Sequence, residues 1–394
     1  MGSRACGALA VFIVITGLHP GGSMVSSAGA ADWSITSGLS SMSSIHDNVS
    51  LRPDPLGTAV GFSNSASINI TALKPTASFN LSSSASHTTY VGPGAPDNLG
   101  GYSPNLSAAL QKQDKLTTYG LTASVSLAPT AEVELEEDEE IRSSGDTTRA
   151  SVGATIAHQF GPRDSLSGAL SWSSASASES GRENRSLSLN GSWSHRISDL
   201  TSVGASVSRS QSSSGVDDED TVVWGFNGNI ATALSPRLSV SASAGFSVVD
   251  GPGTADLFDD VDLDDGPTIS GPTMSVALTY ALKTTTFALT ASNAISETTF
   301  GDLRQSRSFG FSVAQAVNSR ANIVLAGSHS TSSGGGLESG DRTSRSLSVV
   351  YSHAITPYWN GSITYRYRDV DRDDGFARSN AGFFSLSRSL TLVP

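Results

Sequence analysis

Apolar residues alternate with polar residues along most of this chain, and this period of two restricts its fold more than any other feature. In residues 238–248 every even-numbered position carries Leu, Val, Ala or Phe, and every odd-numbered position carries Ser or Gly. The alternation recurs at 165–172, 186–194, 202–208, 309–313, 347–351 and 363–367. Successive side chains of a strand point to opposite faces, whereas a helix would scatter these residues around its axis. The chain is therefore predicted to be all-β, with strands that have one apolar and one polar face.

The composition argues against a soluble protein with a buried hydrophobic core. Hydrophobic residues make up 37% of the chain and charged residues 15%, against roughly 45–50% and 25% in soluble globular proteins. Disorder normally requires more charge and no hydrophobic order. A transmembrane barrel fits this composition, because its outer face needs only every second residue to be apolar and its interior can be polar.

The connections between strands alternate in length. Eight are short, at residues 74–76, 113–115, 161–164, 198–200, 235–237, 283–285, 318–320 and 356–358. Longer polar segments lie between them, including 216–220, 250–271, 297–305, 331–342 and 369–378. This pattern predicts a closed antiparallel barrel of about eighteen strands (sixteen to eighteen), with short periplasmic turns and long extracellular loops. Before residue 147 the alternation is less regular, and strands are predicted at 34–42, 66–73, 77–86, 106–113 and 118–127.

Two other β folds compete with the barrel. A soluble β-sandwich would have shorter strands and more Val, Ile and Phe on its buried faces. A secreted β-solenoid would need a fixed repeat period, whereas the hairpin spacing here drifts. Strands of about ten residues suit a tilted bilayer crossing better than either alternative.

The N-terminus has the features of a secretory signal. Arg4 precedes an apolar run at residues 8–15, and Ala28-Gly29-Ala30 has the form of a cleavage site. Residues 1–30 are predicted to be a signal peptide and residues 31–394 the barrel. The chain's one cysteine, Cys6, lies inside the signal.

The lumen face is predicted to be rich in Ser, with Arg209, Arg366 and Arg368 as its candidate charges, and Leu170, Trp172, Val240 and Phe311 are predicted to face lipid. Hydroxyl groups donate and accept hydrogen bonds without imposing charge, which suits water and neutral polar solutes. The alternative is that Ser simply fits a pleated interior and signals no particular solute.

No catalytic, cofactor-binding or metal-binding residue is predicted. The acidic clusters at 132–140, 217–220 and 256–265 lack the order of a calcium loop and are interpreted as solvated loops. The histidines have no metal-ligand spacing, and no G-x-S-x-G sequence is present, so an outer-membrane enzyme is disfavoured.

Aromatic residues suit the two girdles of a barrel at the membrane–water interfaces. The expected location is the outer membrane of a Gram-negative bacterium, and the expected partners are outer-membrane lipid, lipopolysaccharide and the barrel-assembly machinery. No nucleic-acid partner is expected. These aromatic residues are Trp172, Trp193, Trp224, Tyr351, Tyr358, Trp359, Tyr365, Tyr367 and Phe384.

Several short motifs resemble a known group of barrels. They are the strand at 119–126 (Tyr-Gly-Leu-Thr-Ala-Ser-Val-Ser), the acidic segment from Glu132, Asp146-Thr-Thr, and the Phe384-x-Leu-x-Arg388 ending. Over residues 105–394 the chain resembles barrels associated with exopolysaccharide gene clusters, including the PEP-CTERM-associated outer-membrane family. The resemblance implies a polysaccharide-export pore as a candidate role, and it transfers no functional residue. For such a pore the expected partner is polysaccharide or a periplasmic export protein.

Three functional classes remain open from the sequence. A channel for polar solutes, with polysaccharide export as its narrower form, is favoured. A structural or adhesive surface barrel that uses its acidic loops is the alternative, and an enzyme comes third.

Overall fold

The computed structural model describes residues 31–96, 99–136, 145–179, 181, 183–214, 220–250, 268–297, 303–333, 341–372 and 375–393. The predicted signal peptide, residues 1–30, lies outside the described residues. No helix in the part of the chain that the structure describes is long and apolar enough to cross a membrane.

Eighteen strands and one short helix follow one another along the described chain. They are β1 (Asp32–His46), β2 (Ala59–Lys74), β3 (Ala77–Val91), β4 (Gly101–Asp114), β5 (Thr117–Pro129), α1 (Thr130–Glu136), β6 (Asp146–Gln159), β7 (Asp164–Ala177), β8 (Glu183–Arg196), β9 (Thr201–Ser214), β10 (Asp220–Ser235), β11 (Leu238–Asp250), β12 (Thr268–Ala281), β13 (Thr285–Glu297), β14 (Leu303–Ala316), β15 (Ala321–Ser333), β16 (Arg342–Ala354), β17 (Trp359–Arg372) and β18 (Gly375–Val393).

The strands form one closed sheet. Each strand is antiparallel to the strand before it and the strand after it, and β18 returns to pair with β1. The closing ladder includes Leu39 opposite Arg388 and Ser43 opposite Phe384. Because the sheet closes on itself, no strand is left as an edge with unpaired backbone groups. The predicted closed antiparallel barrel of eighteen strands is confirmed.

The two ends of the barrel differ as the sequence predicted. All eight predicted short connections are present at one end, called the short-turn end, and they occupy residues 75–76, 115–116, 160–163, 197–200, 236–237, 282–284, 317–320 and 355–358. The longer connections lie at the other end, called the long-loop end. One predicted long loop, 369–378, is wrong: β17 continues to Arg372, which pairs with Gly375 at the start of β18.

The strands are longer than the ten residues that the alternation predicted. They run from 13 residues in β5 to 19 residues in β18. A tilted bilayer crossing uses only about 9–11 residues, so the remainder projects beyond the membrane. The apolar alternation ends with the membrane, whereas the backbone ladder continues with charged residues such as Asp369 opposite Arg378.

The outer surface carries the predicted apolar face. Leu170 is 48% exposed and Trp172 41% exposed, although both are large apolar side chains on central parts of a strand. Val240 and Phe311 share a face with the exposed side chains of Phe246 and Phe309. Surface-exposed apolar residues on every strand would be unstable in water, so this belt requires a surrounding bilayer.

The first prediction concerns this belt. Leu170 lies near the middle of β7, opposite Ala154 and Leu189, and Ser171 beside it faces the lumen. Leu170→Arg should destabilise the barrel by roughly 2–4 kcal/mol, because it places a charge near the bilayer midplane. Ser171→Arg should cost far less. Urea unfolding of both variants in vesicles measures the difference, and equal losses would contradict the assignment of the two faces.

Candidate functional site

The lumen wall is lined by serine hydroxyl groups that meet in pairs across neighbouring strands. The Ser40 and Ser65 hydroxyls are 2.7 Å apart, those of Ser167 and Ser192 2.6 Å, and those of Ser243 and Ser275 2.8 Å. Further pairs 2.7 Å apart join residues 124 and 151, 292 and 308, 328 and 346, and 362 and 385. Each pair uses only part of the donor and acceptor capacity of its hydroxyls, so the wall can still bind water or a polar solute.

Arg209 does not belong to the lumen, contrary to the sequence-based prediction. It lies opposite Leu189 and Trp224, both of which face outward. Its guanidinium group lies 5.6 Å from the centre of the Trp224 ring, and its Nη2 donates a hydrogen bond to Gln211 Oε1. Arg209 has the same strand parity as Val203, Ala205 and Val207, so it belongs to the outer face. The prediction failed because a charge near the long-loop end of a strand can face outward beyond the lipid.

Helix α1 lies inside the mouth of the barrel at the long-loop end. Val133 is 1% exposed and packs against Ala128 and Ala177 on the inner wall. Ala131 is fully buried with Val49, Ala59 and Leu99. The helix therefore crosses from the wall formed by β5–β7 towards the first two long loops and narrows the entrance.

Two arginines on β17 hold the segments that lie in the mouth, Arg368 the helix and Arg372 the first long loop. Arg368 Nη2 donates a hydrogen bond of 2.8 Å to the backbone oxygen of Leu135, at the C-terminal end of α1. Arg372 Nη1 donates one of 3.2 Å to the backbone oxygen of Leu51, in the first long loop. Strand β17 lies six strands from β5 around the barrel, so the Arg368 bond spans part of the mouth, whereas the Arg372 bond joins β17 to the nearby β1–β2 loop.

The interpretation of residues 132–140 as a solvated acidic loop is wrong for the part that the structure describes. Thr130–Glu136 is helical, and Glu134 is only 4% exposed. Residues 137–140 lie outside the described residues. The sequence misled here because Ala131, Val133 and Leu135 alternate with Glu, which suggests a strand or a loop and does not give the apolar stripe of a helix.

Arg366 is a lumen arginine that is open to a passing solute. Its side chain is exposed, unlike the partly buried Arg368, and its guanidinium lies 5.2 Å from the centre of the Phe383 ring. His46 contacts Phe383 edge to face, at 5.3 Å between ring centres, and lies 5.9 Å from Tyr90. These four side chains form an arginine–aromatic cluster on the inner wall. A cation beside aromatic faces can bind a carboxylate and pack against a flat or sugar-like ring.

A second element, the β13–β14 hairpin, narrows the opposite side of the mouth. The β12–β13 ladder ends at Met274 opposite Asn293, although both strands remain paired with their other neighbours. Pro272 supplies no N–H at this point, and the Asn293 side chain donates to the Pro272 backbone oxygen instead. Beyond the break, Leu303 packs against Val249, which is on the inward face of β11. The described ends of β13 and β14 therefore lie against the lumen side of the neighbouring wall.

Three other histidines lie away from the arginine–aromatic cluster. His158, His195 and His353 lie near the short-turn ends of their strands, and His195 Nδ1 is 2.8 Å from Asp164 Oδ1. Among the described residues, no group of three or more His, Cys, Asp or Glu is placed to hold a metal ion. The acidic segments 256–265 and 217–219 lie outside the described residues.

Comparison with known proteins identifies the fold. No family model matches the sequence, and no curated protein matches it. Similar solved structures include a BenF-like porin from Pseudomonas fluorescens Pf-5, with a TM-score of 0.53 and 11% identity over 92% of this chain and 99% of that one. Pseudomonas aeruginosa OccK2 (OpdF) has a TM-score of 0.53 and 10% identity, over 93% of this chain and 100% of that one. P. aeruginosa OpdK with vanillate has a TM-score of 0.52 and 10% identity, over 92% and 100%. At such identities the likeness shows a shared fold.

The barrel and its apolar belt both indicate where the protein is located. A closed antiparallel barrel with short turns at one end, long loops at the other and an apolar exterior is built for the outer membrane. The predicted location in the outer membrane of a Gram-negative bacterium is confirmed.

The second prediction concerns the brace across the mouth. Arg368→Met removes the donor to the Leu135 backbone oxygen, a charge-assisted contact of about 1.5–3 kcal/mol. We expect α1 to loosen, with larger current fluctuations in single-channel recordings. The control is Arg345→Met, which removes a cation 3.7 Å from Asp369 on the outer face of the neighbouring strand. Quiet recordings from both variants would show that Arg368 does not hold the helix.

Proposed function

We propose that this protein is an outer-membrane channel through which small polar solutes diffuse. The observation that carries the proposal is the continuous inner wall of serine hydroxyls in a barrel of eighteen strands. Barrels of 16–18 strands leave an aqueous channel unless loops fill it. A hydroxyl-lined wall exchanges hydrogen bonds with a moving solute at low cost, because each group both donates and accepts.

Selectivity would arise at the mouth. Solutes entering from the long-loop end pass between α1 and the β13–β14 hairpin and then meet the arginine–aromatic cluster. The similar structure of OpdK contains vanillate. In this chain, the exposed guanidinium of Arg366 beside Phe383 would suit a small solute that carries a carboxylate or several hydroxyl groups.

The third prediction is ion conduction. The purified protein in planar bilayers should conduct, with a weak preference for cations at low salt, because the chain has a formal net charge of -12 and its acidic residues concentrate in the long loops. Screening should remove this preference as the Debye length falls from about 30 Å at 0.01 M to about 3 Å at 1 M. Reversal potentials measure the preference. A folded barrel that does not conduct would favour the structural or adhesive alternative.

Two variants, measured in the same way, test which part of the barrel sets the ion preference. Arg366→Gln should strengthen the cation preference, since it removes an exposed cation from the lumen wall. Arg209→Gln is the matched control, because it removes an arginine from the outer face. If the two variants shift the reversal potential equally, the lumen cluster does not control ion entry.

Polysaccharide export is a narrower proposal that rests on the sequence resemblance. A polymer would have to thread past α1, and the serine wall would offer it hydrogen bonds without strong binding. The fourth prediction is that deletion of the gene abolishes surface polysaccharide, measured by labelling of intact cells. Unchanged polysaccharide in the deletion strain would leave the general channel as the function.

A further inference from the structure

Every lysine of the chain lies at the short-turn end of the barrel. The four residues are Lys74, Lys112, Lys115 and Lys283, and all are exposed. Lys74, the last residue of β2, and Lys112, two residues before the end of β4, lie on the outward face: both pair with Ala77, and Lys112 also lies opposite the exposed Tyr119. Their ammonium groups therefore reach the outside of the rim and do not line the channel.

Four arginines extend this set around the rim. Arg163, Arg196, Arg237 and Arg320 lie in or beside other short turns, and each is exposed. Seven of the eight short turns thus carry a cation. Within the described residues none of the eight side chains forms an ion pair. We call these eight residues the basic rim.

The positive charge of the basic rim contrasts with the charge at the long-loop end of the barrel. Carboxylates at the short-turn end are fewer, namely Asp32, Asp114, Asp164 and Asp199, and Asp164 contacts His195. The acidic runs of the sequence all fall in or beside long loops. The barrel is therefore electrically polarised along its axis, with the positive end at the turns.

Aromatic side chains fix the depth of the basic rim relative to the membrane. Trp193 stacks on His195, Tyr351 stacks on His353, and Trp359 lies 5.5 Å from the Arg388 guanidinium, all on the outer face near the short turns. Trp and Tyr rings settle at the level of lipid headgroups. The outward-facing cations of Lys74 and Lys112 lie at this same end, near the level of the headgroups, whereas Arg196 has the inward parity of its strand.

We propose that the basic rim binds the headgroups of anionic phospholipids in the leaflet around the short-turn end. An even distribution over seven turns fits a lipid annulus better than a docked protein, which would favour a cluster on one arc. Anionic headgroups attract basic residues near a membrane surface, and the attraction disappears within a Debye length. The interaction would hold the short-turn end against its leaflet and set the depth of the barrel.

Tryptophan quenching by brominated lipid tests this proposal on the full protein. The barrel is inserted into vesicles of phosphatidylcholine mixed with brominated phosphatidylglycerol, and separately into vesicles in which only the phosphatidylcholine is brominated. Comparing the quenching in the two samples gives the relative binding of the two lipids. Wild type should prefer phosphatidylglycerol by about fivefold at low salt, as expected for roughly one effective cation per bound lipid. The preference should fall towards one in molar salt.

Two sets of substitutions give opposite expectations. Lys74→Gln, Lys112→Gln, Arg237→Gln and Arg320→Gln combined should abolish the preference. Asp114→Asn with Asp199→Asn removes the opposite charge from the same rim and should increase it. A wild-type barrel without preference, or one whose preference survives molar salt, overturns the proposal even if the multiple variant fails to insert.

A different role for the same cations would also be visible. If the basic rim instead attracts anionic solutes to the periplasmic mouth, the lysine and arginine variant would change the reversal potential and leave the lipid preference intact. That result would overturn the lipid proposal without affecting the proposed channel.

Discussion

The structure depends on the need to satisfy every backbone hydrogen-bonding group inside a bilayer. Lipid offers no partner to an unpaired N–H or C=O, so a sheet in the membrane must close on itself. The ladder between β1 and β18, from Thr36 opposite Thr391 to His46 opposite Ala381, provides that closure. Once the sheet is closed, each strand has one face in lipid and one in the lumen. The alternation of apolar and hydroxyl side chains is the chemical consequence of this division.

Closure also explains where the barrel can be irregular. Within the membrane each residue must pair on both sides, and the ladders there run without interruption. Near the long-loop end water can solvate the backbone, and the structure departs from a simple cylinder: Pro272 ends the β12–β13 ladder, and the β13–β14 hairpin turns inward. Helix α1 occupies the other side of the same mouth. The selective parts of the channel therefore lie where the constraint on the backbone is weakest.

Charge is distributed according to the same geometry. Among the arginines of β17 that face the lumen, Arg368 holds helix α1, Arg372 holds the first long loop, and Arg366 remains exposed to the solute path. Lysines lie in or beside the short turns, where long side chains can reach headgroups and water. Acidic residues collect in the loops. A central wall of paired serines separates these regions, so a solute crosses a neutral, hydrogen-bonding surface between two charged ends.

The sequence by itself determined the class of fold, the number of strands and the position of all eight short turns, because strand periodicity and turn residues are local properties. It also determined which residues face lipid, since one apolar residue fixes the orientation of its whole strand; Arg209 was misplaced when that parity was ignored. Only the tertiary structure decided which residues form the mouth of the lumen and how they contact one another. The burial of α1, the reach of Arg368 to Leu135 and the arginine–aromatic cluster join residues from distant strands. Those contacts exist only after closure brings the last strands next to the first ones, and no local pattern encodes them.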